Sequence, residues 1–229
     1  PPPPPPPPPP DTTTRVGSSA ASDVYKRQQQ VLEQQSFFEP GKVVASPLVS
    51  LADDGSDLDG TPVSFDYEGV AKRRVPLIEA GACRELVHDS KTAAAAGVTS
   101  TGHALPAPNA WGPMPFNLSM AAGEASREEL IGGLERGLLV TRFHYTNAVH
   151  PKQVRITGMT KDGLFLVEDG RITAPVRNLR FTQSYLDALA AVEAVGSERR
   201  AVDGDDYLGT IVVPAVRIGS FGFTGTTEH

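Results

Sequence analysis

From Phe37 onward the apolar positions fall mainly in short alternating or β-branched runs, separated by Gly, Asp and Pro. That is the pattern of strands joined by tight turns. VVASPLVSL (43–51) reads as a strand ended by the turn-rich DDGSDLDGTP (53–62). VPLIE and CRELVH flank Ala80-Gly81 and read as a hairpin. GLLVTRFHY (137–145) alternates as a further strand. VRITGMT, GLFLVEDG and RITAPV read as a meander turning at Lys161-Asp162-Gly163 and Glu168-Asp169-Gly170, because Asp-Gly is a strong short hairpin signal. TIVVPAVRIGSFGFTG (210–225) reads as the closing strand.

Three segments switch to helical spacing. KTAAAAG (91–97) is a short helix closed by Gly97. Ser126 and Glu129 have the spacing of a capping box that opens SREELIGGLERG. SYLDALAAVEAV (184–195) sets Leu186, Leu189 and Val192 on one face, with Gly196 as its stop and an acidic loop at 198–207 after it. The pattern predicts an α+β fold, mostly antiparallel β-sheet and meander- or barrel-like, with two or three helices. STGHALPAPNAWGPMP (100–115) is a long Gly/Pro loop, of a length that often serves function.

The first stretch does not share this pattern. Residues 1–10 are all proline, a polyproline rod without internal hydrogen bonds. SSAASDVYKRQ after it resembles translated adapter sequence. Residues 1–28 are therefore read as a disordered, non-native leader and set aside, leaving 29–229 as the domain. The whole chain carries a net charge of −6. The leader holds two acidic and three basic residues, so the domain itself is more acidic still. Nucleic acid and anionic membrane surfaces both attract basic proteins, so neither is an expected partner. No apolar run reaches the ~20 residues of a membrane-spanning helix. A single cysteine, Cys83, leaves no internal disulfide and fits the cytoplasm.

No H-E-x-x-H, G-x-S-x-G or P-loop occurs. The histidines are His88, His103, His144, His150 and His229. His144 and His150 are separated by roughly 20 Å on a regular strand, whereas ligands of one zinc sit about 2.1 Å from it. That strand cannot chelate zinc with this pair. Cys83 opens the second strand of a hairpin with no helix N-terminus beside it, so it reads as a structural thiol.

Several blocks in order resemble the TldD/PmbA family, which is related to metallopeptidases. GLLVTRFHYTNAVHPKQVRITGMTKDGLFLVEDGRITAPVRNLRFTQSYLDALAAVEAVG (137–196) is similar to the family's C-terminal block. FDYEGVAKRRVPLIEAGACRELVHDSKTAAAAGVTSTGHA (65–104) and VVPAVRIGSFGFTG (212–225) resemble its upstream segment and last strand. The likeness runs over about residues 37–225 and leans to the PmbA side. It implies the C-terminal part of a family protein, with the N-terminal part missing.

The resemblance also implies a division of labour between two kinds of subunit. TldD-type subunits carry an H-E-x-x-x-H helix and a downstream cysteine for zinc, and PmbA-type subunits pair with them. SERRAVDGDDYLGTIVV (197–213) contains no cysteine, so by this likeness the chain is expected to hold no zinc of its own. Zinc would sit in a partner subunit or in a missing upstream segment. On the same basis the chain is expected to be inactive alone and to support peptide hydrolysis in a dimer, with a TldD-like zinc subunit or a second copy. His103, Trp111, Arg142 and His144 are the candidate substrate- or partner-facing residues, on loop 100–116 and strand 138–147. The alternatives are a truncated active zinc peptidase whose histidines lie upstream, and a non-enzymatic binding or scaffold module.

Overall fold

The computed structural model describes residues 36–202 and 209–226. The leader 1–28 and His229 lie outside the described residues. The elements, in order, are β1 (Leu51–Asp53), β2 (Val75–Glu79), β3 (Ala82–Cys83), α1 (Ser90–Ala96), β4 (Asn117–Met120), α2 (Arg127–Gly132) and β5 (Arg136–His150). After these come β6 (Arg155–Glu168), β7 (Arg171–Pro175), β8 (Leu179–Ser184), α3 (Tyr185–Ala190), β9 (Val192–Val202), β10 (Thr210–Ile218) and β11 (Phe223–Thr226).

The strands form two open sheets, ordered β3-β2-β1-β4-β10-β9 and β11-β8-β6-β5, with β7 also paired to β6. All pairings are antiparallel except β4 with β10. The α+β reading therefore holds with open sheets in place of a closed barrel. Both sheets feed one hydrophobic core: Leu77, Leu118 and Ile211 from the first, Phe143, Ile156 and Phe181 from the second. Each such side chain contributes on the order of 1.5–3 kcal/mol when fully buried. The rings of Phe143 and Phe181 sit 4.6 Å apart. Gly158 faces Phe181 across the β6–β8 ladder. A Cβ on Gly158 would meet that ring at 2.7 Å, so the missing side chain is what admits the phenylalanine.

The helix ends follow local chemistry. Asp89 accepts the Thr92 amide at 2.7 Å, and Gly97 closes α1 in the left-handed region at φ 68°. Ser126 and Glu129 bond reciprocally and open α2 as a complete capping box.

Other segments depart from the pattern reading. The 43–51 run gives only a bridge at Val43 before β1 begins at Leu51. Asp162-Gly163 is not a turn. β6 runs straight through it, and its positive φ values of 63° and 137° form an irregularity opposite Val140–Arg142. β5 is long enough to pair on both sides of the dipeptide, so the unusual backbone becomes a bulge. Asp169-Gly170 does turn the chain, at φ 49° and 71°. The helix expected over 184–195 stops at Ala190. Val192 and Val195 are buried in β9, where Gly196 also lies, because β-branched residues pair with β10 there. The closing segment splits into β10 and β11, which belong to different sheets.

Candidate functional site

The base of the 100–116 loop holds a buried polar cluster. Asp53, at the end of β1, is completely buried, as is Thr101, and His103 is 1 % exposed. His103 Nε2 donates to Asp53 Oδ1 at 2.8 Å, and its Nδ1 meets the Thr101 hydroxyl at 2.9 Å. The Lys72 ammonium lies 3.2 Å from the same Asp53 oxygen and donates to Asn117 Oδ1 at 2.9 Å. The Asn117 amide donates to Asp53 Oδ2 at 2.7 Å, and its side chain donates to the Thr61 carbonyl at 2.6 Å. The Lys72 ammonium also lies over the Phe116 ring, 5.6 Å from its centroid.

Burial alone would push the Asp53 carboxyl upward. The hydrogen bond and electrostatic pull of His103, the Lys72 ammonium and the Asn117 amide outweigh it and hold the group below the usual aspartate range. Gly102 makes the loop's close approach possible. It sits at φ +74° against the Ala71–Lys72 backbone, where a Cβ would meet the Ala71 carbonyl oxygen at 2.6 Å. Asp66 holds the next turn, accepting the amides of Glu68 and Val70 at 2.9 Å and of Ala104 at 2.8 Å.

Asp53, His103 and Thr101 stand in the order carboxylate, imidazole, hydroxyl. That is the order of a nucleophilic triad. Here the hydroxyl is fully buried and also bonds the His88 backbone, taking its amide at 2.6 Å. A substrate has no access to it. The cluster fixes loop 100–116 to the first sheet, and its chemistry is structural.

A second polar knot lies beside it. Arg199 on β9 binds Asp57 at 2.7 Å and Ser119 Oγ at 2.8 Å, and also pairs with Asp59. It ties β9 to the turn after β1. Burial would raise Asp57, but its bonds to Arg199 and Ser119 hold it below the usual range.

The four sequence candidates are not brought together. His103 is in the interior of the first sheet's side, with both ring nitrogens engaged. Trp111 is 54 % exposed on the same loop. Arg142 and His144 lie on β5 in the other sheet; Arg142 Nε pairs with Asp162 at 2.9 Å and His144 packs edge-on against the Tyr145 ring at 5.0 Å. Asp53, Lys72, Asn117 and Thr101 carry no sequence motif that marks them out. The one signal is the His103 position in the STGHA loop, since a buried carboxylate has no local signature.

A metal would need converging neutral imidazoles, thiolates or carboxylates. Among the described residues no three such groups converge. His103 has both nitrogens occupied, and Cys83 is buried with its thiol pushed up by desolvation. The described residues therefore do not fit a zinc site. Among them, too, no helix is long and apolar enough to cross a membrane.

Two open sheets around one core, pinned by a buried carboxylate and flanked by a long loop, define the class as an α+β sheet module. The chain belongs to the PmbA/TldA metallopeptidase C-terminal domain family, which it matches over residues 19–225. It is 28% identical over 171 residues to a metalloprotease TldD homolog of Buchnera aphidicola, covering 72% of this chain and 34% of that protein. A metalloprotease of Methanothermobacter thermautotrophicus is 28% identical over 165 residues, covering 70% of this chain and 35% of that protein. The chain thus spans about one third of the length of the curated relatives it matches. TldE of Thermococcus kodakarensis superposes with a TM-score of 0.77 at 22% identity, over 90% of this chain and 48% of that one. A Thermotoga maritima protein solved as a candidate modulator of a DNA gyrase does so with 0.77 at 23%, over 91% and 48%. These two likenesses establish the fold.

Proposed function

We propose that this chain is part of a cytoplasmic, non-zinc subunit that supports peptide hydrolysis in a dimeric complex. Family membership supports the peptide chemistry, since the relatives carry the name metalloprotease. The observation that carries the non-zinc role is the placement of the only cysteine. Cys83 lies in the β2–β3 hairpin, fully buried, with its thiol held in the neutral form. It is remote in sequence from residues 197–213, where the family resemblance expects a thiolate ligand.

In this reading a metal held by the other subunit would supply the Lewis-acid chemistry for the scissile carbonyl and its attacking water. The present chain supplies the wall of the cavity: loop 100–116, held in place by Asp53 and His103, and the strand 138–147. Trp111, Arg142 and His144 are the side chains offered to substrate or partner, and His103 acts through the loop it anchors. Peptides lying along sheets are held chiefly by main-chain hydrogen bonds, which makes such a wall tolerant of sequence.

The test is elemental analysis and peptidase assay of the purified 229-residue chain. Substoichiometric zinc after dialysis and no hydrolysis alone are expected. One tightly held zinc per chain would overturn the reading in favour of a zinc peptidase, the role the relatives' names favour.

A further inference from the structure

The backbone of His88 clasps the root of loop 100–116. Its amide donates to the Thr101 hydroxyl at 2.6 Å. Its carbonyl accepts from the Thr101 amide at 3.1 Å and from the Ser100 hydroxyl at 3.2 Å. Gly97 and Gly102, both at positive φ, bracket the clasped segment and give the chain a swivel on either side of it. His88 itself is buried, 9 % exposed, and its Nδ1 has no hydrogen-bond partner. A neutral ring can leave that nitrogen as a bare acceptor, whereas an imidazolium donates at both nitrogens. Protonation would therefore bury a charge together with an N–H that finds no acceptor, a combination that protein interiors avoid.

We infer that His88 is a proton-sensitive latch: the neutral ring keeps loop 100–116 clasped, and uptake of a proton releases it. Burial is the largest influence on the ring and disfavours its charged form. Arg73, ahead of β2, and His103, in the loop, add to that effect. The Arg73 amide bonds the Thr101 carbonyl at 3.3 Å, and its guanidinium is held by Glu85 at 2.7 Å. The Thr92 backbone in α1 and the Asp89 carboxylate pull the other way, and Glu68 stands at the start of α1, accepting the Ser90 amide at 3.0 Å. The balance holds His88 below the ordinary histidine range. The released ring thus takes up a proton more readily than the clasped one. Docking is complete above about pH 6.5 and weakens as pH falls below it toward the folded value. Asp53 is held ionised in this window and adds no slope there. The latch goes beyond the hydrolytic role above, since it concerns how the loop is attached and needs no substrate.

The test is amide hydrogen exchange of the whole chain by NMR between about pH 7.5 and 5, the window in which histidine titrates. Rates are expressed as protection relative to an unstructured chain at each pH. The Thr101 and Arg73 amides, bonded to the His88 and Thr101 carbonyls, should lose protection severalfold as pH falls. The Tyr185 amide, bonded to the Val154 carbonyl at 3.0 Å, should keep its protection. In His88→Gln, whose side chain takes up no proton, the loss at Thr101 should vanish; His88→Asn serves if the first variant is unfolded by circular dichroism. Thr101 protection that stays flat in the wild type overturns the inference. So does a loss that persists in the variants, because another group then titrates, or one shared equally by Tyr185, because the whole fold then opens. A wild-type His88 ring whose own resonances titrate at or above the ordinary histidine value overturns it without any variant.

Discussion

His103 Nε2 and Asp53 Oδ1 lie 2.8 Å apart although 50 positions separate them in the chain. The bond joins the root of a long loop to the end of β1, and both side chains are inaccessible to solvent. Asp53→Ala would leave the buried Lys72 ammonium without its carboxylate. Removing one partner of a buried pair costs about 3–5 kcal/mol. The urea midpoint should fall accordingly at unchanged slope, and an unshifted midpoint would show that the cluster contributes nothing.

The same carboxylate gives the stability a pH dependence. Its folded pKa is depressed, so the stabilisation is present above its unfolded value near 3.9 and is lost as pH falls through the lower folded value. Between pH 7 and 5 this group should contribute no slope. Below about pH 4 the wild-type midpoint should drop more steeply than that of Asp53→Asn. Parallel acid limbs for the two proteins would exclude Asp53 as a source.

Gly102 tests how closely the loop must approach. Its φ of +74° and the nearby Ala71 carbonyl leave no room for a methyl group. Gly102→Ala should therefore destabilise by about 1–3 kcal/mol, the range for strained backbone. A thermal midpoint equal to wild type would mean that the loop can shift away at no cost.

Much of the local structure is legible from single residues. Asp89, Ser126 and Glu129 cap helices by bonds within three positions, and Asp169-Gly170 turns as the dipeptide predicts. Asp162-Gly163 is the same dipeptide and does not turn, because β5 pairs on both sides of it. Whether such a dipeptide turns or bulges is decided by the partner strand. The start of Val192–Val202 likewise has helical spacing, yet it is a strand because it pairs with β10. The Asp53 cluster is not legible at all. Its partners lie 50 and 64 positions away, and an isolated DDGSD reads as a solvated turn.

Cys83 should be silent toward thiol reagents in the native state. It is fully buried, and desolvation raises its pKa, so little thiolate is present or reachable. Ellman's reagent should titrate one thiol per chain in denaturant and essentially none without it. Rapid native labelling would mean that the β2–β3 hairpin opens readily.

Under the proposed subunit pairing, Trp111 is the direct reporter of association. At 54 % exposure its emission should be red-shifted in the free chain and move blue when a partner subunit covers loop 100–116. Trp111→Ala should then weaken association by about 1–3 kcal/mol while leaving the thermal midpoint in place. Emission unchanged by every partner that binds would remove the loop from the interface.

The connectivity of the two sheets also sets an order of events during folding. β5 through β8 succeed one another with short connections, so that unit closes small loops. The other sheet must bring β4, near residue 117, beside β10, near residue 210, across the whole of that unit. Such distant pairings are slow because the chain orders a large loop before any contact compensates it. The β5–β6 hairpin should therefore gain amide protection first, and the β4–β10 pairing last. During that interval β4 offers an unpaired edge to the solvent, which crowding or high concentration would turn into a route to aggregation.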